Sequence, residues 1–94
     1  MLIDIITNPL INPNIVGYIN QINKNRYEFR GISITLRQLE ILSLLSEGYN
    51  NKEIADIFVI SINTIRKHLA DLYKIFKVNT IQELIVFCYR GKIK

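Results

Sequence analysis

From Thr35 onward, apolar residues recur at helical spacing. Leu39, Leu42 and Leu45 line one face of a first helix. Thr35 stands before it as a cap with Gln38 three residues on, the capping-box spacing, and Gly48 closes it in the left-handed conformation. Asn50 or Asn51 caps a second helix that runs to about Phe58. Val59 and Ile60 make a turn, and Ser61 caps a third helix. There Ile62, Ile65, Leu69, Leu72 and Phe76 recur at steps of three and four, the signature of a core-facing stripe. Thr80, with Glu83 three residues later, opens a fourth helix to about Arg90, and Gly91 follows it.

The first third of the chain is patterned differently. Asn8-Pro9 and Asn12-Pro13 break its start into extended or turn-like pieces. With Asn12 as cap and Pro13 at the first helical position, Ile15, Val16, Ile19 and Ile22 form a stripe that predicts a helix over residues 13–23. Arg26-Tyr27-Glu28-Phe29-Arg30, then Gly31, then Ile32-Ser33-Ile34 alternate around a turn glycine, as in a short hairpin. The expected fold is all-α: a four-helix helix-turn-helix domain at residues 34–94, preceded by an extension at residues 1–33. That extension, with its helix and small hairpin, is expected to serve for packing or as a dimer arm.

The fourth helix is apolar nearly all round. Ile81, Leu84, Ile85 and Cys88 fall on one side and can complete the core, whereas Val86, Tyr89 and, past the helix end, Ile93 point the other way. A second apolar stripe implies a cover, either a partner molecule or the N-terminal segment of the same chain.

Composition narrows the class. The chain has 94 residues, 49% of them apolar, enough for one small domain with a core and no second one. Its net charge is +4; from Ile34 onward nine Lys and Arg face six Asp and Glu, so most of the excess lies in the helical part. The single Cys88 excludes an internal disulfide and suits a reducing cytosol. The apolar start lacks a basic leader and is interrupted by Asp4, so no signal peptide is expected. No apolar run approaches the roughly 20 residues of a spanning helix. A cytoplasmic protein that does not engage membranes is expected.

Projected on a helix, residues 62–77 place Asn63, Arg66, Lys67, Ala70 and Lys74 opposite the core stripe. Two short capped helices joined by a tight turn, the second cationic outside, form a helix-turn-helix reading head whose exposed helix fits a DNA major groove. Arg or Lys there can give two hydrogen bonds to guanine O6 and N7. Ser61, Asn63 and Thr64 lie at a helix N-terminus, where backbone N–H groups favour phosphate, although Ser61 serves first as a cap. Lys52 is placed for the sugar-phosphate backbone. His68, the only histidine, has neither a second ligand nor a partner acid, so it makes no metal site or catalytic base. A phosphate hydrogen bond is its functional option. No catalytic residue, metal or cofactor is expected.

These residues resemble the LuxR-type (GerE-type) helix-turn-helix domain of bacterial transcriptional regulators, over residues 34 to about 91. The matching positions are Thr35, Arg37, Glu40, Leu42, Glu47-Gly48, Asn51-Lys52-Glu53-Ile54-Ala55, Ser61, Thr64-Ile65-Arg66, His68, Val78, Glu83 and Leu84. The resemblance implies a four-helix domain that binds double-stranded DNA as a homodimer, with the third helix in the major groove and the fourth as dimer contact. Carried over, Arg66, Lys67 and Ala70 face bases, while Asn51, Lys52, Thr64, His68 and Lys74 lie near the backbone. Departures are Gln38 for an acid, Ile75 for a lysine, Lys77 for a glycine and Ile81 for an arginine. Ala70 is short where relatives carry longer polar chains, limiting readout there to a thymine methyl. Thirty-three residues cannot build the sensing domain such regulators often carry, so the chain is either a stand-alone short regulator or a piece of a longer one. The expected function is sequence-specific DNA binding in transcription, with RNA polymerase or another regulator as a further partner. The competing expectation is a helical adaptor or anti-regulator that holds a protein partner through the fourth helix.

Overall fold

A computed structural model describes residues 8–13, 19–23 and 25–90, with backbone only for Tyr89 and Arg90. Among the described residues three strands precede the helices: β1 (Ile19–Asn23), β2 (Arg26–Phe29) and β3 (Ile32–Thr35), antiparallel in the order β1-β2-β3. The expectation of an all-α chain is corrected by this sheet. The hairpin expected around Gly31 is its β2–β3 pair, with Phe29 opposite Ile32. Arg30 and Gly31 form the two-residue loop at φ 54 and 83, the sign that a mirror-image turn needs to match strand twist.

The helix predicted over residues 13–23 is corrected over its second half, where Ile19–Asn23 is a strand; residues 14–18, with Ile15 and Val16 among them, lie outside the described residues. Of the expected stripe Ile19 is buried, but Ile22 is 55% exposed. Tertiary pairing decides the outcome. The β2–β3 hairpin offers Ile19, Asn20, Gln21 and Asn23 the ladder partners Phe29, Glu28, Tyr27 and Arg26. Asn and β-branched Ile give up little by leaving a helix.

Four helices follow: α1 (Leu36–Ser46), α2 (Asn51–Phe58), α3 (Ile62–Phe76) and α4 (Ile81–Arg90). The caps stand where the sequence puts them. Gln38 N–H donates to Thr35 Oγ1 at 3.2 Å while Thr35 N–H donates to Gln38 Oε1 at 2.9 Å, so an amide does the reciprocal work of the acid it replaces. Gly48, at φ 100, ends α1: its N–H reaches the Leu45 carbonyl at 3.0 Å and that of Tyr49 reaches Leu44 at 3.1 Å. Glu83 and Thr80 cap α4 reciprocally, at 3.1 and 3.2 Å.

α1 is the central helix. Every residue from Leu39 to Ser46 is buried, so burial extends well beyond the expected Leu39–Leu42–Leu45 face. Its buried polar groups Glu40, Ser43 and Ser46 are met by the N-terminal segment, as burial in a low dielectric requires. Asn8 Nδ2 donates to Glu40 Oε2 at 3.0 Å, the Asn12 N–H to Ser43 Oγ, and Asn12 Nδ2 to Ser46 Oγ at 3.1 Å.

The apolar face of the sheet (Ile19, Tyr27, Phe29, Ile34) joins the same core. Phe29 meets Phe76 edge-on at 6.4 Å, and Phe76 meets Phe87 at 5.0 Å, so one aromatic chain links β2, α3 and α4. Arg30 Nη2 donates to the Cys88 carbonyl at 3.2 Å, holding the β2–β3 loop on the last turn of α4. Burial pushes the Cys88 thiol up to about 12, against the lowering influence of Arg30.

Candidate nucleic-acid interface

α2 and α3 form the two-helix unit of the sequence reading. Asn50 caps α2: the Glu53 N–H donates to Asn50 Oδ1 and the Asn50 N–H to Glu53 Oε1, both at 2.9 Å. α2 turns Ile54 and Ala55 into the core. It ends at Val59 in the left-handed conformation (φ 56, ψ 48), with the Ile60 N–H on the Ala55 carbonyl at 3.0 Å and the Val59 N–H on Asp56 at 3.2 Å. That paired closure makes the turn tight even though Val is a costly residue there, by about 1–2 kcal/mol. Arg37 braces the same corner. Its guanidinium lies 4.0 Å from the Phe58 ring centroid and 3.5 Å from Glu40, so α1 holds the end of α2.

Ser61 starts α3, accepting the Thr64 N–H at 3.1 Å while its hydroxyl and that of Thr64 sit 2.9 Å apart. From there the helix divides cleanly. Ile65, Leu69, Leu72 and Phe76 are buried, Ile62 is half-buried, and Asn63, Arg66, Lys67, Ala70, Asp71 and Lys74 are exposed. Three cations and one acid therefore occupy the outer face. Ser61 is exposed, Thr64 and His68 are half-buried at its flank, and Lys52 is exposed on the first turn of α2. Asn51 is half-buried, and its Oδ1 is shielded from solvent without a hydrogen-bond partner.

Two features were not legible beforehand. Arg66 Nη1 donates to Asn63 Oδ1 at 3.1 Å, so two residues of the outer face are tied to each other; their three-residue spacing was the available signal. Lys77 shares an open cleft with Lys74, Tyr73, Val78 and Asn79. Lys77 had figured in the sequence only as a replaced glycine.

On α4, Leu84 and Cys88 are buried and Ile81, Ile85 and Phe87 pack partly against the core, which leaves Val86 38% exposed. The Tyr89 side chain and Ile93 lie outside the described residues. Among the described residues, no group of three His, Cys, Asp or Glu is placed to hold a metal ion, and no helix is long and apolar enough to cross a membrane.

Comparison with known proteins agrees with this geometry. The sequence pattern of bacterial regulatory proteins of the luxR family matches residues 33–88. The transcriptional regulatory protein LiaR of Bacillus subtilis (strain 168) is 34% identical over 61 residues, covering 65% of this chain and 29% of LiaR. The oxygen regulatory protein NreC of Staphylococcus carnosus (strain TM300) is 30% identical over 87 residues, covering 93% of this chain and 39% of NreC. The response regulator protein VraR of Staphylococcus aureus (strain NCTC 8325 / PS 47) is 28% identical over 60 residues, covering 64% of this chain and 29% of VraR. The chain thus spans between 29% and 39% of the length of these relatives. With two capped helices joined by a tight turn, an outward cationic helix and this match over most of its length, the chain belongs to the luxR family of bacterial regulatory proteins, and its helical part is that family's DNA-binding helix-turn-helix domain.

Proposed function

We propose that the chain binds duplex DNA sequence-specifically, by laying α3 in the major groove, and acts in transcriptional regulation. The observation that carries this reading is the division of α3: Arg66, Lys67 and Lys74 are exposed along one side while Ile65, Leu69, Leu72 and Phe76 anchor the other. An anchored helix with an unobstructed cationic side can enter a groove without rearranging the core. Arg66 and Lys67 then read bases, with Asn63 beside them and Ala70 offering a methyl contact. Asn51, Lys52, Ser61, Thr64, His68 and Lys74 approach phosphates. The relatives LiaR, NreC and VraR carry regulatory names, which supports the same reading.

In this account residues 34–94 form the reading domain and residues 1–33 its N-terminal extension. The active unit is a homodimer in the cytoplasm, in contact through Val86, Tyr89 and Ile93, and RNA polymerase or another regulator is the protein partner. The adaptor reading gives the cationic side of α3 no task, and the DNA reading is preferred for that reason. Enrichment of bound duplexes from a random pool tests it. A single recurring site, with half-sites in dyad symmetry for the dimer, supports the proposal; recovery of unrelated sequences at every round defeats it.

A further inference from the structure

An open cleft of about 430 Å³ lies at the C-terminal end of α3, lined by Tyr73, Lys74, Lys77, Val78 and Asn79. Lys74 and Lys77 are both exposed, and among the described residues neither forms an ion pair. Lys77 is the first residue past the helix, in the left-handed conformation (φ 58, ψ 46). Its N–H bonds to the Lys74 carbonyl at 3.3 Å, and the Val78 N–H bonds to Tyr73 at 3.0 Å. This closure turns the chain so that Lys77 stands on the rim with Lys74. The acid on the first turn of α4 is already committed to this loop: Glu83 Oε1 accepts the Asn79 N–H at 2.7 Å and the Thr80 N–H at 3.2 Å. Asp71 is exposed on α3 but does not line the cleft.

We infer that this cleft is a phosphate clamp for the DNA backbone beyond the base-reading part of α3, with Lys77 as its added cation. The inference rests on the DNA reading above and extends it past the end of the recognition helix. Length supports it. At 1.5 Å per residue, Lys77 stands roughly 16 Å along the axis from Arg66, whereas the major groove is about 12 Å wide. With Arg66 at base edges and α3 running across the groove, the cleft reaches the groove wall, where the phosphates are. Two lysines lining one open concavity match a backbone anion and carry no base information.

The test compares the wild type with Lys77→Gly and Lys77→Arg, on a selected duplex and on a random one, between 50 and 200 mM salt. Glycine accepts the left-handed conformation freely, so the Tm of Lys77→Gly is not lower than wild type and a loss of binding is not a loss of fold. The clamp predicts weaker binding to both duplexes by one factor. The slope of log affinity against log salt falls by about 0.9, so the wild-type advantage shrinks about 3.5-fold across that range. Lys77→Arg keeps wild-type affinity. Unchanged affinity and slope overturn the clamp, and so does a loss confined to the selected duplex. Saturable binding of inorganic phosphate that needs Lys77, with DNA binding unaffected, assigns the cleft to a free anion and overturns it too. A wild type that binds neither duplex removes the DNA reading and the clamp together; a wild type that binds while Lys77→Gly matches it removes the clamp alone.

Discussion

Replacing Phe29 by alanine asks whether the sheet belongs to the same cooperative unit as the helices. Phe29 lies on β2, outside the residues that match the family, yet it is 0% exposed and stands edge-on to Phe76 at 6.4 Å. Phe76 in turn meets Phe87, so the truncation opens a cavity at the junction of β2, α3 and α4. Truncations of this kind cost about 3–5 kcal/mol, the lost transfer of the ring plus the cavity left behind. A domain of this length has a total stability of about 5–14 kcal/mol, so between about a fifth and the whole of it is at stake. At about 4–8 °C per kcal/mol, the Tm falls by about 12–40 °C. Urea and thermal unfolding followed by far-UV circular dichroism reports mainly the helices and is the suitable assay. Asn20→Ala, on the exposed side of the same sheet, is the control and shifts stability by no more than about 0.5 kcal/mol. A helical transition unmoved by Phe29→Ala would mean the sheet is an appendage, and the packing argument for it would be wrong.

Two further predictions concern local chemistry. Asn50→Ala removes the side-chain half of the α2 capping box, the hydrogen bond from the Glu53 N–H to Asn50 Oδ1, and costs about 1 kcal/mol, read as a lower Tm with the same m-value in urea. The Cys88 thiol, raised by burial from 9.0 to about 12, holds its proton more tightly folded than unfolded. Its contribution to stability is therefore fully present below about pH 9 and is lost as the pH climbs toward 12. In urea melts from neutral to strongly alkaline pH, wild type loses stability faster than Cys88→Ala above about pH 9. Parallel profiles would contradict the assignment.

Where the chain regulates itself by local rules, the sequence was a sufficient guide. Thr35 with Gln38 and Thr80 with Glu83 each announce a helix start through a reciprocal pair three residues apart, and both pairs are formed; for α2 the sequence leaves Asn50 or Asn51 as cap, and the structure selects Asn50 with Glu53. The α3 stripe was readable because one side packs and the other is solvated, which is what a 3.6-residue period encodes. β1 was not readable in this way. Ile19 and Ile22 fit a helix, and what makes them a strand is the hairpin that comes later in the chain. Asn23, Lys24 and Asn25, a turn-prone run before Arg26, were the local hint of another hairpin. The buried Glu40, Ser43 and Ser46 on α1 fell outside the periodic signal for the same reason, since their partners Asn8 and Asn12 lie more than thirty residues away. Of the candidate interface, the exposure of Asn63, Arg66, Lys67, Ala70 and Lys74 was legible. The Asn63–Arg66 hydrogen bond and the shared cleft of Lys74 and Lys77 needed coordinates.

The central claim is that the outer side of α3 reads bases, and it is tested most directly by affinity for a selected duplex against a random one for wild type, Arg66→Ala and Lys67→Ala. Each bidentate contact to guanine contributes about 1–3 kcal/mol of discrimination, so either variant should lose about 5- to 150-fold more affinity for the selected duplex than for the random one. Equal losses on the two duplexes would make Arg66 and Lys67 phosphate anchors and leave α3 without its assigned role.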